Sequence, residues 1–303
     1  MKDILAVIKS RIPTDSTSTR LYHGRGKQFP GHEFWVLDYF DPTLLITLYA
    51  QAPENFLTEL MIELSLLPLK AENILLQKRY LPKAPFEVLK GQLINNSFAR
   101  ESEDLFHLKF GQSQNIGFFL DMAPGRALLR DLAKDKLVLN LFSYTCSLSV
   151  AALKGGAQQV VNVDMSKAAL ALGEENHRLN NLELRRARFL SYDIMNSWKN
   201  IAKYGPYDLV VIDPPTNQGE SFKVERDYYK IVKRLKSMCS PQAVIIACLN
   251  SPHLDSEFLI ELFEQHAPEY KYQKTHYSAF AQMELRPQEG LKILIFQAST
   301  QAN

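Results

Sequence analysis

Four short segments carry residues whose types and order suit chemistry, and each follows an apolar run. After LVLNLF comes Ser143-Tyr144-Thr145-Cys146-Ser147, small and hydroxyl-rich, able to bring hydroxyl and backbone N–H groups close to a ligand. Asp164, with Met165 and Ser166 behind it, is placed to accept from the hydroxyls of a ribose. Asp193-Ile194 stands where an adenine amino group would need an acceptor. The fourth segment, Asp213-Pro214-Pro215-Thr216, follows YDLVVI; its prolines fix φ and turn carbonyl oxygens outward. Taken singly, an acid after a strand reads as a cap or a turn former. Taken in this order, the four segments point to an adenosine-containing cofactor.

A nicotinamide cofactor asks for G-x-G-x-x-G, because its pyrophosphate must approach bare backbone at a helix N-terminus. The loop here reads S-Y-T-C-S-L, without glycine. S-adenosylmethionine, an adenosine carrying a sulfonium and no phosphate, does not need that approach. Methyl transfer is therefore the leading chemistry, with Asp213, Pro214 and Pro215 as the candidate catalytic turn.

The elements that must position these segments alternate strand and helix from about residue 117 onward. Apolar runs at 137–142, 160–163, 189–192, 209–212, 244–248 and 292–296 predict strands buried on both faces. Residues 147–153 and 166–179 predict helices, the first stopped at Gly155-Gly156. Such alternation builds a doubly wound, mostly parallel α/β sheet that binds its ligand beyond the carboxyl ends of the strands. The first hundred residues differ: a helix over 3–12, an exposed basic loop over 14–31 with Arg20, Arg25 and Lys27, strands at 34–38, 44–49 and 74–76, and a helix over 55–67. A further strand is expected at 105–110. The expected division is thus a smaller N-terminal α+β domain, 1–100, suited to substrate recognition, and a domain of 101–303 that opens with a hairpin.

Composition excludes whole classes. With 303 residues, 46% of them hydrophobic, and 13 glycines, the chain is neither collagen-like nor disordered. Its 35 basic and 33 acidic residues leave a charge of +2, so any nucleic acid must be held by a local basic surface. Three cysteines without C-x-x-C spacing, Cys146, Cys239 and Cys248, argue for a reducing compartment and against a metal site. No apolar run is long enough for a signal core or a membrane span, so a cytoplasmic location is expected.

The segments VLNLFSYTCSLSVAALKGGAQQVVNVDMSKAALALGEENHRLN (138–180), YDLVVIDPPT (207–216) and GFFLDMAPGR (117–126) resemble the class I S-adenosylmethionine-dependent methyltransferases that modify bases of large-subunit ribosomal RNA. The resemblance is to their 5-methylcytosine and N7-methylguanine branches, and it spans roughly residues 100–300. It implies a Rossmann-like sheet, S-adenosylmethionine as cofactor, and RNA, 23S ribosomal RNA, as partner. It further implies that Asn140, Phe142, Ser143, Tyr144, Thr145 and Cys146 line the methionine end of the cofactor. Asp164, Met165 and Ser166 would hold the ribose, Asp193 and Ile194 the adenine edge, and Phe119 and Asp121 the near border. Asp213 and Pro214 would face the transferring methyl. The sequence departs from the pattern at Cys146 and Ser147, where glycines often stand, at Ala123 in place of an arginine, with Arg126 the nearest substitute, and at Ile116 in place of a threonine.

The target atom is only partly legible. Carbon 5 of a pyrimidine needs a thiolate added at carbon 6, whereas guanine N7 needs only alignment with the methyl–sulfur axis. The cysteine of the 5-methylcytosine branch would fall on Asn250; Cys248 lies two residues earlier on the same strand face, and Cys146 is a second candidate. A nitrogen target is favoured. Two basic stretches with interleaved aromatics offer to hold RNA: Lys78, Arg79, Lys83, Lys90 and Arg100, and Lys223, Arg226, Lys230, Lys233, Arg234 and Lys236 with Tyr228 and Tyr229. Arg79, Arg126, Lys223, Arg226, Tyr228 and Asn250 are the candidate substrate contacts. A methyltransferase for a small molecule or protein side chain, and a non-catalytic cofactor-binding scaffold, stay open as alternatives.

Overall fold

The computed structural model describes residues 2–219 and 221–299, which form two compact units. The first runs to Leu120 and also includes Gln282–Arg286; the second holds Asp121–Ala281 and the chain from Pro287.

In the first unit, α1 (Lys2–Ser10) turns Ile4 and Ile8, one helical turn apart, into the core. Strands β1 (Thr19–His23), β2 (Trp35–Phe40) and β3 (Thr43–Leu48) follow, then α2 (Phe56–Ser65), β4 (Asn73–Lys78) and β5 (Phe86–Lys90). They form one sheet in the order β1-β2-β3-β4-β5. Every pairing is antiparallel except β3 with β4, whose crossover is α2. That helix buries Phe56, Leu60 and Leu64, again one turn apart, against the sheet. A hairpin, β6 (Ser97–Glu101) and β7 (Asp104–Leu108), completes the unit.

Two expectations change here. The basic loop over 14–31 contains β1: Leu21 and Tyr22 are buried, and Arg20 forks onto Asp38 of β2 at 2.7 and 3.1 Å. A five-residue strand flanked by serine, threonine and glycine carries too little apolar pattern to show itself. The unit boundary falls at Leu120 rather than at residue 100, because the hairpin bonds back onto the first unit. Ser18 N–H donates to the Arg100 carbonyl at 2.8 Å, Arg100 N–H donates to Ser18 Oγ at 2.9 Å, and Phe110 packs on Phe40 at 6.0 Å.

The second unit starts with α3 (Ala123–Leu132), β8 (Leu137–Leu141), α4 (Ser147–Lys154), β9 (Gln159–Asp164), α5 (Lys167–Leu179) and β10 (Ala187–Ser191). It continues with α6 (Trp198–Ala202), β11 (Tyr207–Ile212), a short ribbon of β12 (Asn217–Gln218) and β13 (Phe222–Lys223), α7 (Val224–Val232), β14 (Cys239–Leu249), α8 (Ser256–His266), β15 (Tyr270–Tyr277) and β16 (Lys292–Ala298). Seven strands make one sheet in the order β10-β9-β8-β11-β14-β16-β15. The first five run parallel and β16 is antiparallel to both of its neighbours. The order reverses between β8 and β11, the switch point at which such sheets open a crevice. β15 was not legible in sequence: it is an edge strand, YKYQKTHY, mostly exposed and lacking an apolar run.

Side chains alternate between two cores. Leu139, Leu141, Val210, Ile212, Ile245 and Ala247 face one, with α7 and α8; Val138, Leu209, Val211, Ile246 and Cys248 face the other, with α3 and α4. Each such fully buried aliphatic side chain contributes about 1.5–3 kcal/mol. The strands of the switch point are therefore held on both sides. Among the described residues no helix is long and apolar enough to cross a membrane.

Candidate active site

The loop that leaves β8 is the most constrained stretch of the second unit. Phe142, Tyr144 and Cys146 all adopt left-handed backbone, with φ of 58°, 45° and 61°. For non-glycine residues this conformation costs about 1–2 kcal/mol each, so other contacts must impose it. They are visible. Ser143 N–H donates to the Val163 carbonyl at 3.1 Å and Cys146 N–H to the Ser143 carbonyl at 2.7 Å. Tyr144 N–H donates to Asp164 Oδ2 at 2.8 Å, Asn176 Nδ2 to the Thr145 carbonyl at 3.0 Å, and Phe142 packs on Phe222 at 5.1 Å. On α5, Gly173 leaves room for Cys146: a Cβ there would lie 2.5 Å from Cys146 Sγ.

Beneath the loop runs a directed polar chain that sequence reasoning missed. His177 Nδ1 lies 2.7 Å from the Gly173 carbonyl, which can only accept, so this nitrogen carries the proton. Burial pushes the His177 pKa down, so the ring is neutral and its Nε2 accepts from Ser149 Oγ at 2.9 Å. Ser149 in turn accepts from Asn162 Nδ2 at 3.0 Å, and Asn162 Oδ1 accepts from Asn140 Nδ2 at 2.9 Å. Each donor fixes the next, and the chain ends on Asn140 Oδ1, buried without a partner; Ser143 Oγ, also buried, has the Cys146 thiol beside it. Near the carboxyl end of β8, Asn140 Oδ1 thus keeps unused capacity to accept a hydrogen bond. The one available signal was Asn162, a polar residue inside the apolar run VVNV.

Three acids stand at or just past the carboxyl ends of β9, β10 and β11. Asp164 receives Ser166 N–H at 2.8 Å as well as Tyr144 N–H, and Ser166 caps α5 by accepting Ala169 N–H at 3.1 Å. Asp193 receives Met195 N–H at 2.9 Å and the Asn196 amide, capping the turn after β10. Asp213 follows β11, its N–H 3.4 Å from the Leu141 carbonyl. Its carboxyl is pushed up to about 7, first by burial and then by Asp121, against the opposing pull of the Arg126 guanidinium. Asp121, Arg126 and Asp213 thus form one electrostatic cluster. Pro214 is buried and Pro215 exposed. Thr216 Oγ1 donates to the Asn250 carbonyl, tying this turn to the end of β14.

Several expected contacts are relocated. Tyr228 is fully buried; its hydroxyl donates to the carbonyls of Ile212 and Cys248 at 3.4 and 3.2 Å, so it joins the ends of β11 and β14 and offers no surface to RNA. Arg126 is buried beside Asp213 on α3, not on a basic rim. Ile194 packs in the core beneath the turn, whereas Met165 is exposed. Lys223 N–H and the side chains of Arg226 and Lys230 all converge on buried Asp227, holding its pKa well below the usual carboxylate range, so this stretch is less basic than its composition. Asn250 is exposed after β14. Phe119, half exposed, and Arg79 belong to the first unit.

The thiols are poor nucleophiles. Burial pushes Cys248 and Cys146 well above the ordinary thiol range, with Asp213 and Asp164 respectively adding to the rise. Cys239 is raised to about 11 and starts β14, at the opposite end of that strand.

Five parallel strands extended by the antiparallel β16 and the edge strand β15, with a glycine-free loop at the switch point and acids at the neighbouring strand ends, define a doubly wound sheet whose crevice lacks a glycine-rich pyrophosphate loop. Comparison with known proteins makes the class specific. The chain belongs to the S-adenosylmethionine-dependent methyltransferase family, whose description matches residues 19–297. It is 30% identical over 249 residues to YwbD of Bacillus subtilis (strain 168), provisionally named a ribosomal RNA large subunit methyltransferase, covering 78% of this chain and 62% of that one. It is 36% identical over 145 residues to ribosomal RNA large subunit methyltransferase I of Tolumonas auensis (strain DSM 9187 / NBRC 110442 / TA 4), covering 46% of this chain and 36% of that relative. The chain therefore spans less than two thirds of the length of these relatives. Its fold is shared with the crystal structure of SMU.776 complexed with SAH, at a TM-score of 0.87 and 22% identity, covering 98% of this chain and 80% of the other.

Proposed function

We propose that this chain transfers a methyl group from S-adenosylmethionine to a nitrogen of a base in large-subunit ribosomal RNA. The observation that carries the reading is the orphaned buried Asn140 Oδ1 of β8, next to a strained loop lacking any glycine for a pyrophosphate. An amide oxygen suits the amino group of a methionine moiety, and family membership supports that cofactor. Asp164 keeps lone pairs for ribose hydroxyls beyond the two N–H groups it already accepts, and Asp193 is the acceptor for the adenine edge. When bound, the sulfonium supplies an electrophilic methyl.

The chain's own residues do the rest by placement. Asp213 and the Pro214–Pro215 turn orient the accepting base, with Asp121 and Arg126 setting the charge of Asp213. Substrate class is supported by the relatives' names. A nitrogen acceptor is supported by the cysteines: a C5 mechanism needs a thiolate, and burial keeps Cys248 and Cys146 protonated. Ribosomal RNA from a strain lacking the gene should accept labelled methyl from the purified protein, and mass spectrometry of its nucleosides should show an N-methylated base. Equal labelling of RNA from the parent strain would remove RNA as substrate; 5-methylcytosine as product would remove the nitrogen assignment.

A further inference from the structure

We propose that Arg25, Tyr49 and Arg79 form a docking site for the phosphate backbone of RNA on the N-terminal unit, a reading that rests on the RNA substrate inferred above. The topology brings them together. β1, β3 and β4 all run in one direction, since β1 and β3 are each antiparallel to β2 and β4 is parallel to β3. The residues just past their ends therefore collect at one edge of the sheet, although Arg25 and Arg79 come from separate basic stretches of the sequence. The Arg25 guanidinium lies 4.5 Å from the centre of the Tyr49 ring, and that of Arg79 lies 5.6 Å from it.

Neighbouring cations are neutralised: Arg20 by Asp38 and Lys78 by Glu87. Among the described residues neither Arg25 nor Arg79 has a carboxylate partner; the other side-chain contact of Arg79 is the neutral Asn115 Oδ1, at 3.2 Å. Two guanidinium groups drawn to one ring repel each other, and an external anion relieves that repulsion. A guanidinium resting on an aromatic face keeps its N–H edge free to fork onto phosphate oxygens, and the ring between them suits a ribose or base of the same strand.

The site is also rigidly presented. Arg25 sits between Gly24 and Gly26, and neither glycine tolerates a side chain: a Cβ on Gly24 would lie 2.2 Å from the His32 carbonyl oxygen, and one on Gly26 2.0 Å from that of Met283. The turn is clasped by His23 Nε2 with Glu284 Oε1 at 2.9 Å and by Leu285 N–H donating to the Gly26 carbonyl at 2.7 Å. Tyr49 and Arg79 are fixed by their own backbones, Tyr49 N–H to the Phe34 carbonyl at 2.7 Å and Arg79 N–H to the Leu48 carbonyl at 2.8 Å. The backbones that carry both arginines are thus fixed before any anion arrives.

The test is fluorescence anisotropy of the full chain with a labelled transcript of large-subunit ribosomal RNA, titrated across salt. Arg25→Gln/Arg79→Gln should bind at least about tenfold more weakly near 150 mM salt and lower the slope of log K against log salt by about 1–2. Tyr49→Leu, with both charges kept, should fall between the two. Calorimetry with S-adenosylhomocysteine, expected to be unchanged in every variant, reports that the second unit remains intact. A double variant with the parent's affinity and salt slope overturns the docking site and leaves the substrate reading standing. An unaltered chain that binds no RNA at all overturns both.

Discussion

Asp213 is the residue on which chemistry and stability pull in opposite directions. Its carboxyl, raised to about 7 in the fold, binds a proton over a pH range in which the unfolded chain has already lost it. Its contribution to stability is therefore full below the ordinary carboxylate pKa and is lost as pH rises through about 7. Asp213→Asn should accordingly unfold at a higher temperature than the parent at pH 8, by about 1–3 kcal/mol in stability, with the advantage gone by about pH 4. The same variant should lose most methyl transfer, which denaturation melts and a transfer assay read independently. Ser143→Ala makes the complementary case. Removing a buried hydroxyl whose neighbour is only the weakly hydrogen-bonding Cys146 thiol should change the stability of the free protein by less than about 1 kcal/mol, while weakening S-adenosylhomocysteine in calorimetry by about 5- to 100-fold. Cys248→Ala, in turn, should keep methyl transfer within about threefold, because a buried thiol does no covalent work here.

At the scale of elements, the loop after β8 and helix α5 act as one piece. Gly173→Ala would drive a Cβ against Cys146 Sγ and should cost about 1–3 kcal/mol while weakening cofactor binding. Adding Cys146→Gly removes the clashing sulfur and suits the left-handed backbone at that position, so the double variant should recover most of the loss. A double-mutant cycle by chemical denaturation measures the coupling; simple additivity would separate the two elements. The strand ends were legible in sequence because Asp164, Asp193 and Asp213 each follow a short, largely apolar run, broken only at Asn162 and Ser191, and a parallel sheet sends all such ends to one side. The chain from His177 through Ser149 and Asn162 to Asn140 was not, since its members lie on four elements and each looks ordinary in its own. Tyr228 misled for a related reason. Its place among lysines and arginines suggested exposure, but α7 turns it inward every fourth residue with Val224 and Val232.

For the whole molecule, a net charge of +2 means that affinity for RNA must come from particular unpaired cations. The sequence offered a basic loop and two basic stretches, and the fold sorts them: Arg226 and Lys230 are spent on Asp227 and Lys78 on Glu87, while Arg25 and Arg79 are left to Tyr49. That sorting depends on β1, a strand hidden in a polar stretch, and on pairings between residues 24 and 30 positions apart in sequence. The central claim concerns the second unit, that the crevice at its switch point accepts an adenosyl sulfonium and not a dinucleotide. Isothermal titration of the purified chain tests this most directly. Saturable binding of S-adenosylhomocysteine, abolished in Asp164→Ala and absent with NAD, is the expected result; heat with NAD and none with S-adenosylhomocysteine would contradict it.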